Sequence, residues 1–154
     1  KGRYGLRMMI DIAMNQNGGP VSGRDSARRQ SLSDKYLEQI ITQANKAGLL
    51  KSIRGAGGGY QLSRPAKDIS VGEILRVMEG SLSPVECVRE RGEEPAPCQN
   101  AGECATYELW RDIKTAVDQV IDNRSLQDMI DNYLRKNQDD ASLGKEGNCR
   151  WSAK

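Results

Sequence analysis

The chain has 154 residues, of which 37% are hydrophobic, with a net charge of +2 and no histidine. This length and composition allow one modest core, or one small domain with an appended arm. No apolar run is long enough to span a bilayer and no signal segment follows the first residues, so we expect a cytosolic protein without a membrane partner.

The charge is unevenly distributed along the chain. Residues 1–64 hold eleven Lys and Arg against four Asp and Glu, whereas residues 65–154 hold twelve against seventeen. A basic N-terminal part can bind a polyanion such as DNA. On charge alone, an ordinary solvated surface explains the same residues equally well.

Three helices are predicted in the first 48 residues. The first, over residues 4–15, has apolar side chains at three- and four-residue steps, which define one buried face. A capping-box spacing at Ser22 starts a second, short helix that ends near Gln30. After a polar turn, Ser33 can cap a third helix that stops at Gly48. The last two helices have the form of a helix-turn-helix, an arrangement that packing alone also produces.

A β-hairpin is predicted directly after the third helix. Residues 49–54 and 60–62 alternate as strands, and the glycine-rich run 55–59 between them must turn. A hairpin in this position is typical of the wing of a winged helix. Its glycines let backbone amides approach a phosphate or a groove wall, with Arg54 at the base, although a flexible loop without a ligand fits the same glycines.

Helices are also predicted on both sides of a loop that contains cysteines. A capping box at Ser70 begins a short helix that ends at Gly80, and a long helix covers about residues 107–122. The long helix carries a narrow apolar stripe of the kind that pairs two chains, formed by Leu109, Ile113, Ala116, Val117 and Val120. A last helix begins at Ser125, and the polar segment 137–154 is expected to be mobile.

Cys87, Cys98 and Cys104 lie in a run whose Pro and Gly residues argue against regular structure. In a reducing cytosol, clustered cysteines are better explained as metal ligands or redox sensors than as disulfides. Three thiolates suit an iron–sulfur cluster or Zn²⁺, and reactive thiols without a cofactor are a further alternative. A thiol oxidoreductase is disfavoured, because the chain has no Cys-x-x-Cys pair and no histidine base. A pure dimerisation scaffold would leave the basic winged helix unexplained.

Taken together, these features resemble the Rrf2 family of bacterial transcription regulators. The resemblance rests on KGRYGL at residues 1–6, LSDKYLEQ at 32–39, SIRGAGGGY at 52–60 and the three downstream cysteines, and it covers nearly all of residues 1–135. It implies a mainly α fold with a small β-hairpin wing, in which a winged helix-turn-helix precedes a long dimerisation helix. The resemblance is nearest to the family's iron–sulfur cluster regulators, and its nitric-oxide- and cysteine-responsive repressors are the alternative.

We therefore divide the chain into four parts: a DNA-binding domain at 1–80, a cluster loop at 81–106, the dimerisation and final helices at 107–136, and a mobile tail at 137–154. The resemblance implies a cytoplasmic, homodimeric repressor that binds double-stranded DNA at a palindromic operator. It also implies a bound iron–sulfur cluster, [2Fe–2S], and control of genes for cluster assembly.

The resemblance further implies which side chains meet DNA. The major groove would be read by Ser33, Lys35, Tyr36, Glu38 and Gln39. The minor groove would be met by Arg54, Gly55 and Gly57, and the remaining predicted contacts are Arg3 and Arg28. These roles are chemically sensible, since a glutamine pairs with adenine and a glutamate accepts from cytosine. Glu38 also fits an ordinary exposed helix charge.

In the family's cluster-binding members the three cysteines are ligands, and Cys87, Cys98 and Cys104 match them with two departures. Ten residues separate the first pair and five the second, so the first gap is longer than is usual in the family. Some members supply a histidine three residues after the last cysteine, where this chain has Tyr107. The alternatives for the fourth ligand are Glu103, Glu108, another carboxylate, Cys149 or a residue of the partner subunit.

Overall fold

A computed structural model describes residues 1–89, 98, 100 and 102–142, with side chains up to residue 137. The described chain contains α1 (Gly2–Asn15), α2 (Gly23–Gln30), α3 (Asp34–Lys46), β1 (Leu50–Ile53), β2 (Gly59–Leu62), α4 (Val71–Glu79), α5 (Tyr107–Asp122) and α6 (Leu126–Ser142). This order confirms the predicted mainly α fold with a small hairpin. Within these residues, no helix is both long and apolar enough to cross a bilayer.

Serine caps begin three of the helices where the sequence predicts them. The hydroxyls of Ser22, Ser33 and Ser70 each accept a hydrogen bond from the backbone N–H three residues later, at 3.4, 3.3 and 3.0 Å. Between α2 and α3, Ser31 adopts a left-handed φ of 54°, which ends α2 and turns the chain sharply. The caps and this turn fix where α3 begins relative to α2.

Helix α1 lies at the centre of the core. The sequence predicts one buried face, but α2, α3, α4 and α6 all pack on α1, so residues on most of its circumference are buried. Gly5 permits the close approach of α4, because a Cβ there would lie 2.5 Å from Cγ of Met78. The largest fully buried apolar side chains are Met8, Met9, Ile12, Leu37, Ile40, Leu49, Ile69, Ile74 and Leu126. Every helix except α2 and α5 contributes to this set.

The two strands pair antiparallel, with Leu50 opposite Leu62. A third segment joins them through Val21 and Tyr60, whose backbone N–H and C=O groups exchange two hydrogen bonds of 2.9 Å. Sequence reasoning missed this bridge, because a single paired residue leaves no alternating pattern. The bridge ties the wing to the start of α2.

Helix α5 lies outside the core, and α6 returns to it. None of the residues of α5 is buried. By contrast, Leu126 and Ile130 of α6 are buried in the same core as α1 and α3. The last helix therefore packs with the N-terminal domain. It also runs to Ser142, six residues beyond the expected end at 136, and the rest of the predicted tail, 143–154, lies outside the described residues.

Candidate nucleic-acid interface and cysteine segment

Helix α3 presents a polar face away from the core. Its apolar side chains, including Leu37 and Ile40, are buried, whereas those of Lys35, Glu38 and Gln39 are exposed. The exposed residues are three or four positions apart or adjacent, so they project from one side of the helix. The carboxylate of Glu38 only accepts hydrogen bonds, whereas the amide of Gln39 both donates and accepts them. This face can therefore distinguish base edges.

The first turn of α3 is braced against α1. The hydroxyl of Ser33 accepts the backbone N–H of Tyr36. Tyr36 is half-buried, and its ring meets that of Tyr4 edge-on, with the ring centres 5.7 Å apart and the planes at 86°. The guanidinium carbons of Arg3 and Arg7 each lie 5.6 Å from the centre of the Tyr4 ring. Ser33 and Tyr36 therefore have capping and packing roles besides the DNA contacts predicted for them.

The tip of the wing is exposed. Residues 51–57, which include Arg54, Gly55 and Gly57, are all open to solvent. Gly55 has a φ of 115°, a conformation that L side chains rarely adopt, and its carbonyl accepts the N–H of Gly58 at 3.0 Å to close the turn. Arg54 makes no ion pair with any other residue that the structure describes. Its charge is therefore available to a polyanion.

A cleft of about 240 Å³ lies between α3 and the wing. Its walls are formed by Gly23, Arg24, Asp34, Leu37, Glu38, Ile41 and Tyr60. The cleft places Arg24 of α2 and Tyr60 of β2 on the same surface as Glu38. Sequence reasoning missed Arg24 and Tyr60, since only the folding of α2, α3 and the wing brings them together. A nucleic acid that contacts both α3 and the wing would cover this cleft.

The two remaining predicted contacts, Arg3 and Arg28, are exposed on α1 and α2. Arg28 pairs with Asp25 one turn away, at 3.0 Å, and both side chains are open to solvent. Such surface pairs contribute little to stability, so Arg28 can exchange its partner for a phosphate. Both residues keep a place at the surface, as their predicted role requires.

A polar network missed by sequence reasoning locks α2 onto α1. Arg29 donates to both carboxylate oxygens of Asp11 at 2.8 Å, and the buried Arg7 donates to the side chain of Gln30 at 3.1 Å. The hydrogen bond with Asp11 holds the pKa of Arg29 above its ordinary value, despite partial burial. Arg7 and Asp11, four residues apart on a buried helix, were the signal in the sequence. The network fixes the helix-turn-helix on the core.

The segment that contains the three cysteines, residues 87–104, is here called the cysteine segment, and both of its ends contact α5. Cys87 is half-buried in a short 3-10 turn, Glu86–Val88, which packs on α5 and buries Val88. At the other end, the carbonyl of Cys104 accepts the backbone N–H of Tyr107, the first residue of α5, at 3.1 Å. A change in the conformation of the segment would therefore act on α5.

The thiols of this segment suit a metal by their chemistry. Cys87, Cys98 and Cys104 are unpaired by disulfides, and the hydroxyl of Thr106, 3.3 Å from Sγ of Cys104, lowers the pKa of that thiol. A lower pKa favours the thiolate that metals require. Among the described residues, no three His, Cys, Asp or Glu side chains converge to hold a metal ion. Residues 90–97, 99 and 101, and Cys149, lie outside that part. The donor set thus fits a cluster by its chemistry.

A helix-turn-helix followed by a β wing, with a polar face on α3 and an exposed arginine at the wing, defines a winged-helix DNA-binding regulator. The family model of Rrf2, described as an iron-dependent transcriptional regulator, matches residues 1–132. The chain belongs to the Rrf2 family.

Its relatives are named as transcriptional regulators. The regulator CymR of Bacillus subtilis (strain 168) is 44% identical over 129 residues, which are 84% of this chain and 86% of CymR. The regulator IscR of Escherichia coli (strain K12 / DH10B) is 37% identical over 132 residues, 86% of this chain and 78% of IscR. These names confirm that the chain is a regulator and not an enzyme.

Solved structures agree with this assignment. The structure of CymR, the global cysteine regulator of B. subtilis, has a TM-score of 0.69 and 43% identity, covering 85% of this chain and 93% of that one. The structure of T. potens IscR has a TM-score of 0.67 and 40% identity, covering 86% and 84%. Both support the winged-helix fold predicted from the sequence.

Proposed function

We propose that this Rrf2 regulator is a homodimeric repressor that senses an iron–sulfur cluster, [2Fe–2S], and controls genes for cluster assembly. The observation that carries the proposal is the attachment of the cysteine segment to α5. Both ends of the segment contact the helix that bears the exposed apolar stripe. A cofactor bound by the segment would therefore act directly on the helix that joins the two protomers.

The apolar stripe of α5 supports the homodimer. Leu109 is 57% exposed and Val120 is 63% exposed, and Ile113 and Val117 lie between them on the same side. Large aliphatic side chains aligned at helical spacing are characteristic of a pairing seam. In a twofold dimer the stripe meets its own copy, and two winged helices then face DNA. Such a dimer would bind a palindromic operator whose half-sites are centred ~34 Å apart.

Cys87, Cys98 and Cys104 would hold the cluster as thiolates. Glu103, Glu108, Cys149, another carboxylate or a residue of the partner subunit would complete the coordination. A bound cluster would supply iron–thiolate bonds to these cysteines, and its occupancy would follow the cell's supply of clusters. The chain's own contribution is the attachment of the segment to α5, which would hold the two winged-helix domains in the arrangement that the operator requires.

Substitution of each cysteine by alanine tests the ligand set. After anaerobic purification, we expect the wild-type chain to show visible absorption, a Mössbauer signal and bound iron and sulfide. The C87A, C98A and C104A variants should each lose nearly all of the bound iron, because each leaves fewer than the four protein ligands that hold a [2Fe–2S] cluster. T115A provides the comparison, because Thr115 is exposed on α5 and is not a candidate ligand. Full iron content in C98A or C104A would contradict the assignment.

Substitutions in α3 and in the wing are expected to weaken DNA binding in different ways. We expect Q39A to weaken binding to the preferred operator by about 1–3 kcal/mol and to relax selection at one base pair. R54A should weaken binding to all sequences and reduce the salt dependence by roughly one charge. Fluorescence anisotropy against operator variants at several salt concentrations measures both effects. Q127A on α6, whose amide bonds to Asp131, is the matched control; equal effects of Q39A and Q127A would contradict the role of Gln39.

A second candidate is a cysteine-responsive repressor that lacks the cluster. It is favoured by the identity with B. subtilis CymR, which is 44%, against 37% with E. coli IscR. Absence of iron and sulfide from the anaerobic protein would remove the cluster proposal and leave this one.

A nitric-oxide-responsive repressor would share the cysteine triad, and loss of operator binding when nitric oxide is added to the iron-loaded protein would identify it.

A further inference from the structure

Helix α5 is fastened to α4 by one arginine. The guanidinium of Arg76 donates to both carboxylate oxygens of Asp122, at 2.6 and 2.9 Å, and to Asp118 at 2.7 Å. Lys114 completes the group with a contact of 2.6 Å to the other oxygen of Asp118. We call Arg76, Lys114, Asp118 and Asp122 the α4–α5 clamp. The planar guanidinium of Arg76 fixes both the separation and the direction of the two helices.

The backbone leaves room for the clamp at Gly72. This residue is buried on α4, one turn before Arg76, and a Cβ there would lie 1.9 Å from Oδ1 of Asp122 and 2.7 Å from Nη1 of Arg76. Any other residue would push the ion pair away. The glycine therefore lets α5 cross α4 at close range through charged groups, where helix crossings are ordinarily made by apolar side chains.

The electrostatics of the clamp are internally balanced. Asp122, followed by Asp118, holds the pKa of Arg76 above its ordinary value. Burial alone would raise the pKa of Asp118, but hydrogen bonds from Lys114 and Arg76 outweigh it and leave the pKa below its ordinary 3.8. Arg76 and Asp118 therefore both carry their charges at neutral pH.

The clamp and the apolar stripe lie on opposite sides of α5. Lys114, Asp118 and Asp122 recur every four residues, and at 100° per residue they fall roughly half a turn away from the stripe. The C-terminal end of α5 is also pinned by backbone hydrogen bonds of 2.8 Å, from Val71 N–H to the Arg124 carbonyl and from Leu126 N–H to the Ile69 carbonyl. The C-terminal end of α5 and the clamp side of the helix are therefore held against the rest of the protomer, whereas the stripe is exposed.

We propose that Arg76 is a positioning residue that sets the angle between α5 and the winged-helix domain. It thereby sets the half-site spacing that the dimer accepts. This inference rests on the homodimer proposed above. Since the stripe joins the protomers and the clamp joins α5 to α4, the clamp determines how far apart the two α3 helices lie. Partly exposed ion pairs contribute little to stability, so the effect of Arg76 falls on geometry.

The experiment compares the full chain with R76Q and R76K on operators whose half-sites are one base pair closer, native or one base pair further apart. One base pair rotates a half-site by roughly a tenth of a turn, so we expect wild type to bind the altered operators at least about tenfold more weakly. In R76Q this discrimination should fall to about twofold, while Tm and sedimentation as a dimer are unchanged. R76K, which keeps the charge without the fork, should be intermediate.

R111Q is the matched control, because Arg111 pairs with Glu108 within α5 and does not reach α4. It should keep the wild-type spacing preference. If both Arg76 variants also keep it, this inference is overturned while the dimer stands. If the wild-type chain sediments as a monomer, the dimer proposal fails and this inference fails with it. A dimeric wild-type chain without a spacing preference overturns this inference alone. Should R76Q not fold, R76K with D122N provides the same comparison.

Discussion

Replacement of Val117 by glutamate is expected to turn the dimer into a monomer and to weaken operator binding by at least ~100-fold. Val117 is 41% exposed and lies in the middle of the stripe on α5. In a twofold dimer, the substitution would bury two like charges close to each other in an apolar seam. A monomer holds one half-site and loses the advantage of simultaneous binding to the second.

Analytical ultracentrifugation and anisotropy with a palindromic operator measure the two effects of V117E. The control is T115E, because Thr115 is exposed on α5 but lies well away from the stripe. T115E should remain dimeric and bind as wild type does. A dimeric V117E would show that the protomers pair through another surface, and it would remove the proposed link from the cysteine segment to DNA.

Replacement of Gly59 by alanine should destabilise the domain by about 2–3 kcal/mol, which corresponds to a fall in Tm of roughly 5–10 °C. A Cβ at this position would lie 2.4 Å from the carbonyl oxygen of Val21 and 2.6 Å from its carbonyl carbon. Both are backbone atoms, so a change of rotamer gives no relief. The substitution would separate Val21 from Tyr60 and break the bridge that ties the wing to α2.

Thermal denaturation of G59A and G57A separates stability from DNA binding. Gly57 is a glycine of the same wing, but nothing lies within 4 Å of a Cβ built there. We expect G57A to keep the Tm of wild type and to weaken operator binding, since Gly57 is a predicted contact at the tip. We expect G59A to lose both. Equal Tm values for the two variants would contradict the packing role of Gly59.

Much of the candidate site could be predicted from the sequence because it is local. The serine cap at Ser33 and the period of the apolar residues in α3 place Glu38 and Gln39 on the exposed side. The alternating strands around the glycine run place Arg54 at the wing. Similarly, the stripe of α5 is visible in the sequence, because its spacing follows from one helix alone.

Long-range partners could not be predicted in this way. The clamp joins Arg76 to Asp122 across 46 residues, and the bridge joins Val21 to Tyr60 across 39. Taken alone, Arg76 and Asp122 resemble ordinary surface charges, and Val21 resembles a loop position. Nor does periodicity reveal what covers an apolar face, so the burial of α1 on most sides and the return of α6 to the core were both missed.

The sequence by itself determined the order of the helices, most of their bounds and the wing, because these depend on local caps, periodicity and spacing. The family and the three candidate thiolate ligands followed from the resemblance of its motifs. Only the tertiary structure decided that the turn around Cys87 packs on α5, and that Arg76 fastens α5 to α4. These relations depend on which distant segments pack together, which is set by the burial of the whole core around α1 and not by any local pattern.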